Sequence, residues 1–145
     1  MIHFIFTIPV IVIFLFVYHK TPSFSWFYGI PLLLFIQFLT TYGICLSISS
    51  VNLFFRDLER LTGLLIMLLF YFTPILYPET MVPEKYRTIM LCNPLVPLMI
   101  SWRDLFLKGT LHPFYLSLSF VYAGLIVAFG YGICKRLSMR FAEVL

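Results

Sequence analysis

The residues able to do chemistry are few, and their spacing limits what that chemistry could be. His3, His19 and His112 are distant from one another and each sits near the end of an uncharged run, which reads as interfacial placement rather than ligation. Cys45, Cys92 and Cys134 show no CxxC or Cys/His metal spacing. Two of them lie in apolar runs and read as small packing residues. No HExxH, GxSxG or paired carboxylates occur, so neither a metal site nor a catalytic site is expected. A GxxxxGK[ST] phosphate loop is also missing from the sequence, so any use of ATP would fall to another polypeptide. An intramembrane enzyme would need paired ionisable groups within its apolar segments, and these contain none apart from His3 near the start. The densest charge cluster is Arg56-Asp57-Leu58-Glu59-Arg60. Its charges cancel, and Arg56 and Arg60 stand one helical turn apart. It reads either as a solvated loop or as a contact surface for a cytosolic partner, through Arg56, Asp57, Glu59 and Arg60.

The remaining polar side chains fall into stripes. Gln37, Thr40, Gly43, Ser47 and Ser50 recur at spacings of three, three, four and three, placing an amide, hydroxyls and bare backbone on one helical face. Lipid tails cannot satisfy such a face, so it must meet either another helix or a polar pathway, lined by Gln37, Thr40 and Ser47. Met67, Phe70, Tyr71 and Pro74 share a second face, and aromatic rings such as Phe70 and Tyr71 can stack on sugar C–H edges. With 17 Phe and 9 Tyr in the chain, ordinary lipid-facing or core packing explains that face equally. Gly124, Ala128 and Gly132 form a small-xxx-small ridge, whose expected role is packing against a neighbouring helix.

The elements that must position these groups follow from composition. Of 145 residues, 61% are hydrophobic and 11% charged, with a mean hydropathy of +1.00. A soluble domain carries about 25% charged residues, so the solvent is predicted to be a bilayer. The net charge of +4 is scattered over short polar stretches, which fits a membrane surface and excludes a nucleic-acid face. Four spans are predicted, over about 2–18, 27–51, 61–77 and 113–134, the second opening at an interfacial Trp26-Phe27-Tyr28 cluster. Met1 is followed directly by apolar residues, without a basic n-region or a small-residue cleavage site, so the first segment is predicted to be a retained span. Lys/Arg counts on the two sides are equal, but Arg56, Arg60, Lys135, Arg136 and Arg140 occupy the shorter loops, which predicts a cytoplasmic C-terminus.

Segment 78–112 is the least ordinary. Pro83-Glu84 reads as a helix start, Asn93-Pro94 as a break, Pro97 as a second start and Lys108-Gly109 as its end. Two short helices around a break form either a re-entrant hairpin or a pair lying on the outer surface.

The ordered set Asn52-Leu53-Phe54-Phe55-Arg56-Asp57-Leu58, Tyr71-Phe72-Thr73-Pro74-Ile75-Leu76-Tyr77-Pro78, Val82-Pro83, Asn93-Pro94-Leu95, Trp102-Arg103-Asp104 and Lys108-Gly109, with the tail Phe141-Ala142-Glu143-Val144-Leu145, resembles the membrane permease of ABC-2 polysaccharide exporters. Residues 1–51 match that family in hydropathy alone. The resemblance implies a homodimeric permease in the inner membrane, with separate ATPase subunits that bind ATP and Mg, passing a lipid-linked glycan such as O-antigen, capsule or teichoic acid. It further implies that Arg56 and Asp57 match an Arg-Asp pair on the cytoplasmic side. Thr73, Pro74 and Tyr77 match a span-exit motif, and Asn93, Pro94 and Arg103 match an external hairpin, together the candidates for an outer gate. Family permeases have six spans and this chain begins at what resembles the third, so the resemblance implies the C-terminal half. The expected fold is therefore an all-α polytopic membrane domain of about four spans with an external hairpin. A second class, a non-transporting scaffold or assembly subunit or an inactive truncated permease, remains compatible with the same residues.

Overall fold

The computed structural model describes residues 2–17, 24–52, 58–74, 81 and 83–141. These form six helices: α1 (Ile2–Val17), α2 (Ser25–Asn52), α3 (Leu58–Phe72), α4 (Glu84–Leu91), α5 (Leu95–Lys108) and α6 (Pro113–Phe141). Among the described residues there is no strand. Long uncharged runs have little alternative in lipid, because only a helix satisfies every backbone N–H and C=O within one segment. Pro9 and Pro31 lie inside α1 and α2, each removing one backbone donor without ending its helix.

Helices α2 and α6 are long and apolar enough to cross a membrane by themselves. The described part of α1, 16 residues, rises about 24 Å and that of α3, 15 residues, about 22 Å, against a hydrocarbon core of about 30 Å; residues 18–23 and 53–57 beside them lie outside the described residues. Helix α3 ends at Phe72 rather than near Tyr77, and Tyr77 lies outside the described residues. Helix α6 continues through Lys135-Arg136 to Phe141, where the sequence predicts an end. A charged pair marks where a helix leaves lipid, and nothing about it interrupts the hydrogen-bond ladder.

Helices α2 and α6 run parallel. Leu111, just before α6, reaches Gly29 in the second turn of α2, and further along Ile126 and Val127 lie against Gly43. Helix α5 packs across α2, with Leu105 beside Trp26 and Trp102 beside Gln37. Its buried face of Val96, Leu98, Ile100, Trp102 and Leu105 closes a core with Trp26, Leu33, Ile36 and Ala123. Gln37 lies twelve residues into α2, about 18 Å from its start, and Tyr122 lies nine into α6, about 13 Å from its start. Both touch the hairpin, Gln37 at Trp102 and Tyr122 at Leu91. The α4–α5 hairpin therefore folds back along the long helices instead of resting on their ends.

The hairpin's punctuation follows local chemistry. Pro83 precedes α4, where the missing N–H costs nothing. Helix α5 begins at Leu95, two residues before the predicted Pro97. Pro97 sits in the first turn, whose amides have no intrahelical partner in any case. Gly109 ends α5 with φ 66°, a left-handed conformation that a side chain would strain, and its N–H bonds the Leu105 carbonyl at 3.1 Å.

Candidate functional site

The polar stripe on α2 faces α6. A Cβ on Gly43 would stand 2.7 Å from the Val127 nitrogen, and one on Gly130 would stand 2.6 Å from the Gly43 oxygen and 2.9 Å from Ser47 Oγ. The hydroxyls are satisfied within their own helix. Thr40 Oγ1 donates to the Ile36 oxygen at 2.9 Å, Ser47 to Gly43 at 2.9 Å and Ser50 to Leu46 at 2.7 Å. The amide of the same stripe points elsewhere: Gln37 Oε1 accepts from Trp102 Nε1 at 2.8 Å, joining α2 to α5. On α6 the buried small residues are Ser119, Ala123 and Gly130. The ridge expected to pack is open within this chain. Gly124, Ala128 and Gly132 are exposed, and a Cβ on either glycine would meet nothing within 4 Å. Helical periodicity identifies a ridge, but which ridge meets α2 depends on how α6 is rotated by its other contacts.

Phe70 and Tyr71 touch each other edge-on at 5.7 Å between centroids and are both exposed. One turn further the environment changes, for Thr73 and Pro74 are buried. Thr73 Oγ1 donates to the Leu69 oxygen at 2.6 Å and accepts from Asn93 Nδ2 at 3.1 Å. Asn93 Oδ1 in turn accepts the Leu95 N–H at 3.0 Å, so this one side chain caps α5 and ties the hairpin break to the end of α3. Pro94 follows, half-buried. Three of the outer-gate candidates, Thr73, Pro74 and Asn93, thus bracket a single junction. Arg103 is half-buried two turns along α5.

Sequence reasoning missed three groups at this site. Trp26, read as interfacial, is buried and donates Nε1 to the Leu105 oxygen at 2.9 Å, while its neighbours Phe27 and Tyr28 do face outward. Asp104 is 2% exposed, with Oδ1 2.7 Å from Nζ of Lys108, one turn on. Lys108 keeps its side chain 57% exposed while reaching that carboxylate. The spacing of four between an acid and a lysine was the available signal. Third, a cavity of about 470 Å³ lies between α3 and the hairpin, lined by Leu65, Leu69, Phe72, Tyr86, Ile89 and Met90 among others.

Other sequence-marked residues have plain placements. Arg56 and Asp57 lie outside the described residues, Glu59 is in the first turn of α3, and Arg60 is exposed. Cys45 is exposed on α2, contrary to the packing role expected of it, and Cys134 is half-buried. An apolar run does not say which side of its helix faces lipid. Among the described residues, no three His, Cys, Asp or Glu side chains come together as a metal would require.

Parallel apolar helices, glycine-tight against each other and flanked by an inward-folded hairpin, define an integral membrane domain. The chain belongs to the ABC-2 type transporter family, whose model matches residues 1–107. It is 51% identical, over 99% of its length, to the O-antigen export system permease protein RfbA of Klebsiella pneumoniae, and 48% identical over the same share to a second Klebsiella pneumoniae protein of that name. The RfbA protein of Myxococcus xanthus is 31% identical over 75% of the chain. The chain spans about half the length of the curated relatives it matches, 56% of each Klebsiella protein and 42% of the Myxococcus one. The resemblance drawn from the motifs in 52–145 is borne out at the level of the family.

Proposed function

We propose that this chain is membrane-spanning permease sequence of an ATP-driven exporter that moves lipid-linked O-antigen-type glycan across the inner membrane. The observation that carries the reading is identity of 51% and 48%, over nearly the whole chain, to two O-antigen export permeases. An apolar bundle with an inward-folded hairpin supports it. ATP and Mg are bound by separate ATPase subunits, and the functional permease is a homodimer. In this reading the C-terminus and the Arg56–Arg60 cluster face the cytoplasm, with Arg56, Asp57, Glu59 and Arg60 contacting the ATPase, and the hairpin faces the opposite side.

Mechanistically, closure of the ATPase pair rocks the permease halves and opens a path between subunits. Phe70 and Tyr71, exposed on α3, offer shallow aromatic contacts along which a long polymer slides, whereas one tight site would hold it. Gln37, Thr40 and Ser47 shape the pathway mainly through the helix that carries them, because Gln37 Oε1 is taken by Trp102 and the two hydroxyls donate to carbonyls within α2. The test is export by a full-length permease carrying this sequence, in cells lacking their own O-antigen permease. Surface O-antigen is expected to return with the native sequence and to be lost with Arg56→Ala or Asp57→Ala while the protein stays in the membrane. No restoration by the native sequence refutes the cargo assignment, and normal export by both variants refutes the coupling role.

A further inference from the structure

The polar side chains of α2 fall into two sets. Thr40, Ser47 and Ser50 bond back to carbonyls of their own helix, on the side that meets α6. Thr41 and Ser49 do not. Among the described residues neither hydroxyl has a hydrogen-bond partner, and neither has Gln37 Nε2, since the bond to Trp102 occupies only Gln37 Oε1. With Cys45 these residues make the row Gln37, Thr41, Cys45, Ser49, repeating every four positions as one ridge of a helix does. The row starts about 18 Å along α2 and ends about 36 Å along it, in a helix about 42 Å long. It therefore runs from mid-bilayer towards the Asn52 end. Gln37 and Thr41 are half-buried, and Cys45 and Ser49 are exposed. A serine or threonine in a membrane helix ordinarily hides its hydroxyl by bonding back one turn, and lipid tails offer nothing to a polar group that does not.

Beside the row stand Phe38 and Tyr42, stacked at 6.3 Å between centroids with 17° between planes, and both exposed. Unpaired amide and hydroxyl groups next to open aromatic faces are the chemistry that meets a sugar, polar atom to hydroxyl and ring face to C–H edge. We propose that Gln37, Thr41, Cys45 and Ser49 form a hydrated wall on α2. Along it the hydroxyls of a glycan exchange water for Gln37 Nε2, Thr41 Oγ1 and Ser49 Oγ, while sugar rings rest on Phe38 and Tyr42. Each contact is single and weak, so successive sugars pass along about 18 Å of helix without being held. A neighbouring helix in the same place must bring an acceptor to Gln37 and a partner to each hydroxyl, whereas a polyhydroxylated chain in water supplies them at every position. The assignment rests on the permease reading and names the surface of α2 that the cargo touches.

Cys45 makes the test direct, because a thiol reacts as its thiolate and the thiolate forms in water rather than in lipid. The full-length permease carrying this sequence, in lipid nanodiscs that leave both faces open to buffer, is treated with a charged methanethiosulfonate, and modification is read by peptide mass. Cys45 is expected to react roughly tenfold faster or more than Phe129→Cys. That exposed α6 position lies at the same depth, since Gly43 faces Val127 across the seam. Modification of Cys45 by an uncharged maleimide alone places it in lipid, and modification by neither reagent places it under a helix; either result overturns the hydrated wall, as does equal labelling of the two positions. The second arm is export in cells lacking their own O-antigen permease. Thr41→Val and Ser49→Ala are each expected to slow the appearance of surface O-antigen roughly two- to tenfold, the worth of one hydrogen bond, at unchanged permease level. Ser50→Ala, which removes a hydroxyl already bonded within α2, is expected to export as the native chain does. Native rates in both Thr41→Val and Ser49→Ala, or equal slowing in Ser50→Ala, overturn the glycan contact. No export by the native sequence refutes the permease reading, and the cargo with it, whatever Cys45 shows.

Discussion

Replacing Gly43 with alanine tests the α2–α6 seam most sharply. The added Cβ would stand 2.7 Å from the Val127 nitrogen and 2.9 Å from the Ile126 carbonyl carbon, against 3.4 Å for ordinary contact, so the helices must part by about 0.7 Å. Both obstructing atoms belong to backbone, and no rotamer change relieves them. A gap of that size forfeits about a quarter to a half of the dispersion energy of each atom pair along the seam, and overpacking of a tight core costs about 1–3 kcal/mol. Alanine also raises helix propensity by up to about 1 kcal/mol. That gain is common to every Gly→Ala change in a helix, so the useful quantity is the difference from Gly124→Ala or Gly132→Ala, where a Cβ meets nothing within 4 Å. We expect Gly43→Ala and Gly130→Ala to be less stable than those controls by about 1–3 kcal/mol. Gly29→Ala, whose nearest obstructions are side-chain atoms of Leu105 and Leu111, should fall between. The two tryptophans are both buried in the core, so their fluorescence reports unfolding of the purified chain in detergent titrated with a denaturing surfactant. Equal stability of Gly43→Ala and Gly124→Ala would refute the seam.

Two further predictions follow from individual contacts. Trp102→Phe keeps the stacking on Phe106, at 5.5 Å and 17° between planes, but loses the bond to Gln37; thermal unfolding should show a cost of about 1–2 kcal/mol, and Gln37→Leu should add little once Trp102 is gone. Lys108→Met leaves the buried Asp104 carboxylate without the Lys108 cation, so we expect a loss of about 1–3 kcal/mol; Asp104→Asn in the same chain should recover part of it, and a double variant no better than Lys108→Met would show that the loss does not come from an unpaired carboxylate.

What the sequence disclosed depended on the kind of signal. The hairpin was legible almost to the residue, because Pro83, Asn93-Pro94 and Gly109 each act through backbone geometry within a few positions of themselves. The apolar runs disclosed the helices for the same local reason. Facing was not legible: Gly124/Ala128/Gly132 and Ser119/Ala123/Gly130 are both small-residue ridges on one helix, and only contacts with α2 and α5 decide between them. Trp26 was misread because an aromatic cluster at a helix start fits an interface, while its inward turn depends on a carbonyl 79 residues away at Leu105. At the candidate site, Thr73 and Asn93 were marked by resemblance to a motif, but their hydrogen bond joins residues 20 apart and has no local signature.

The parallel course of α2 and α6 also fixes an order of assembly. Gly43 and Val127 are neighbours in the fold but 84 residues apart in the chain, so the seam cannot close until α6 has left the ribosome and entered the bilayer. During that interval α2 must lie in lipid with its polar stripe uncovered. The bonds from Thr40, Ser47 and Ser50 to the carbonyls one turn back keep those hydroxyls satisfied before any partner exists. A stripe that looks built for its neighbour is thus equally fitted to wait for it, and a chain interrupted before residue 113 would carry α2 in its finished form with the seam never made.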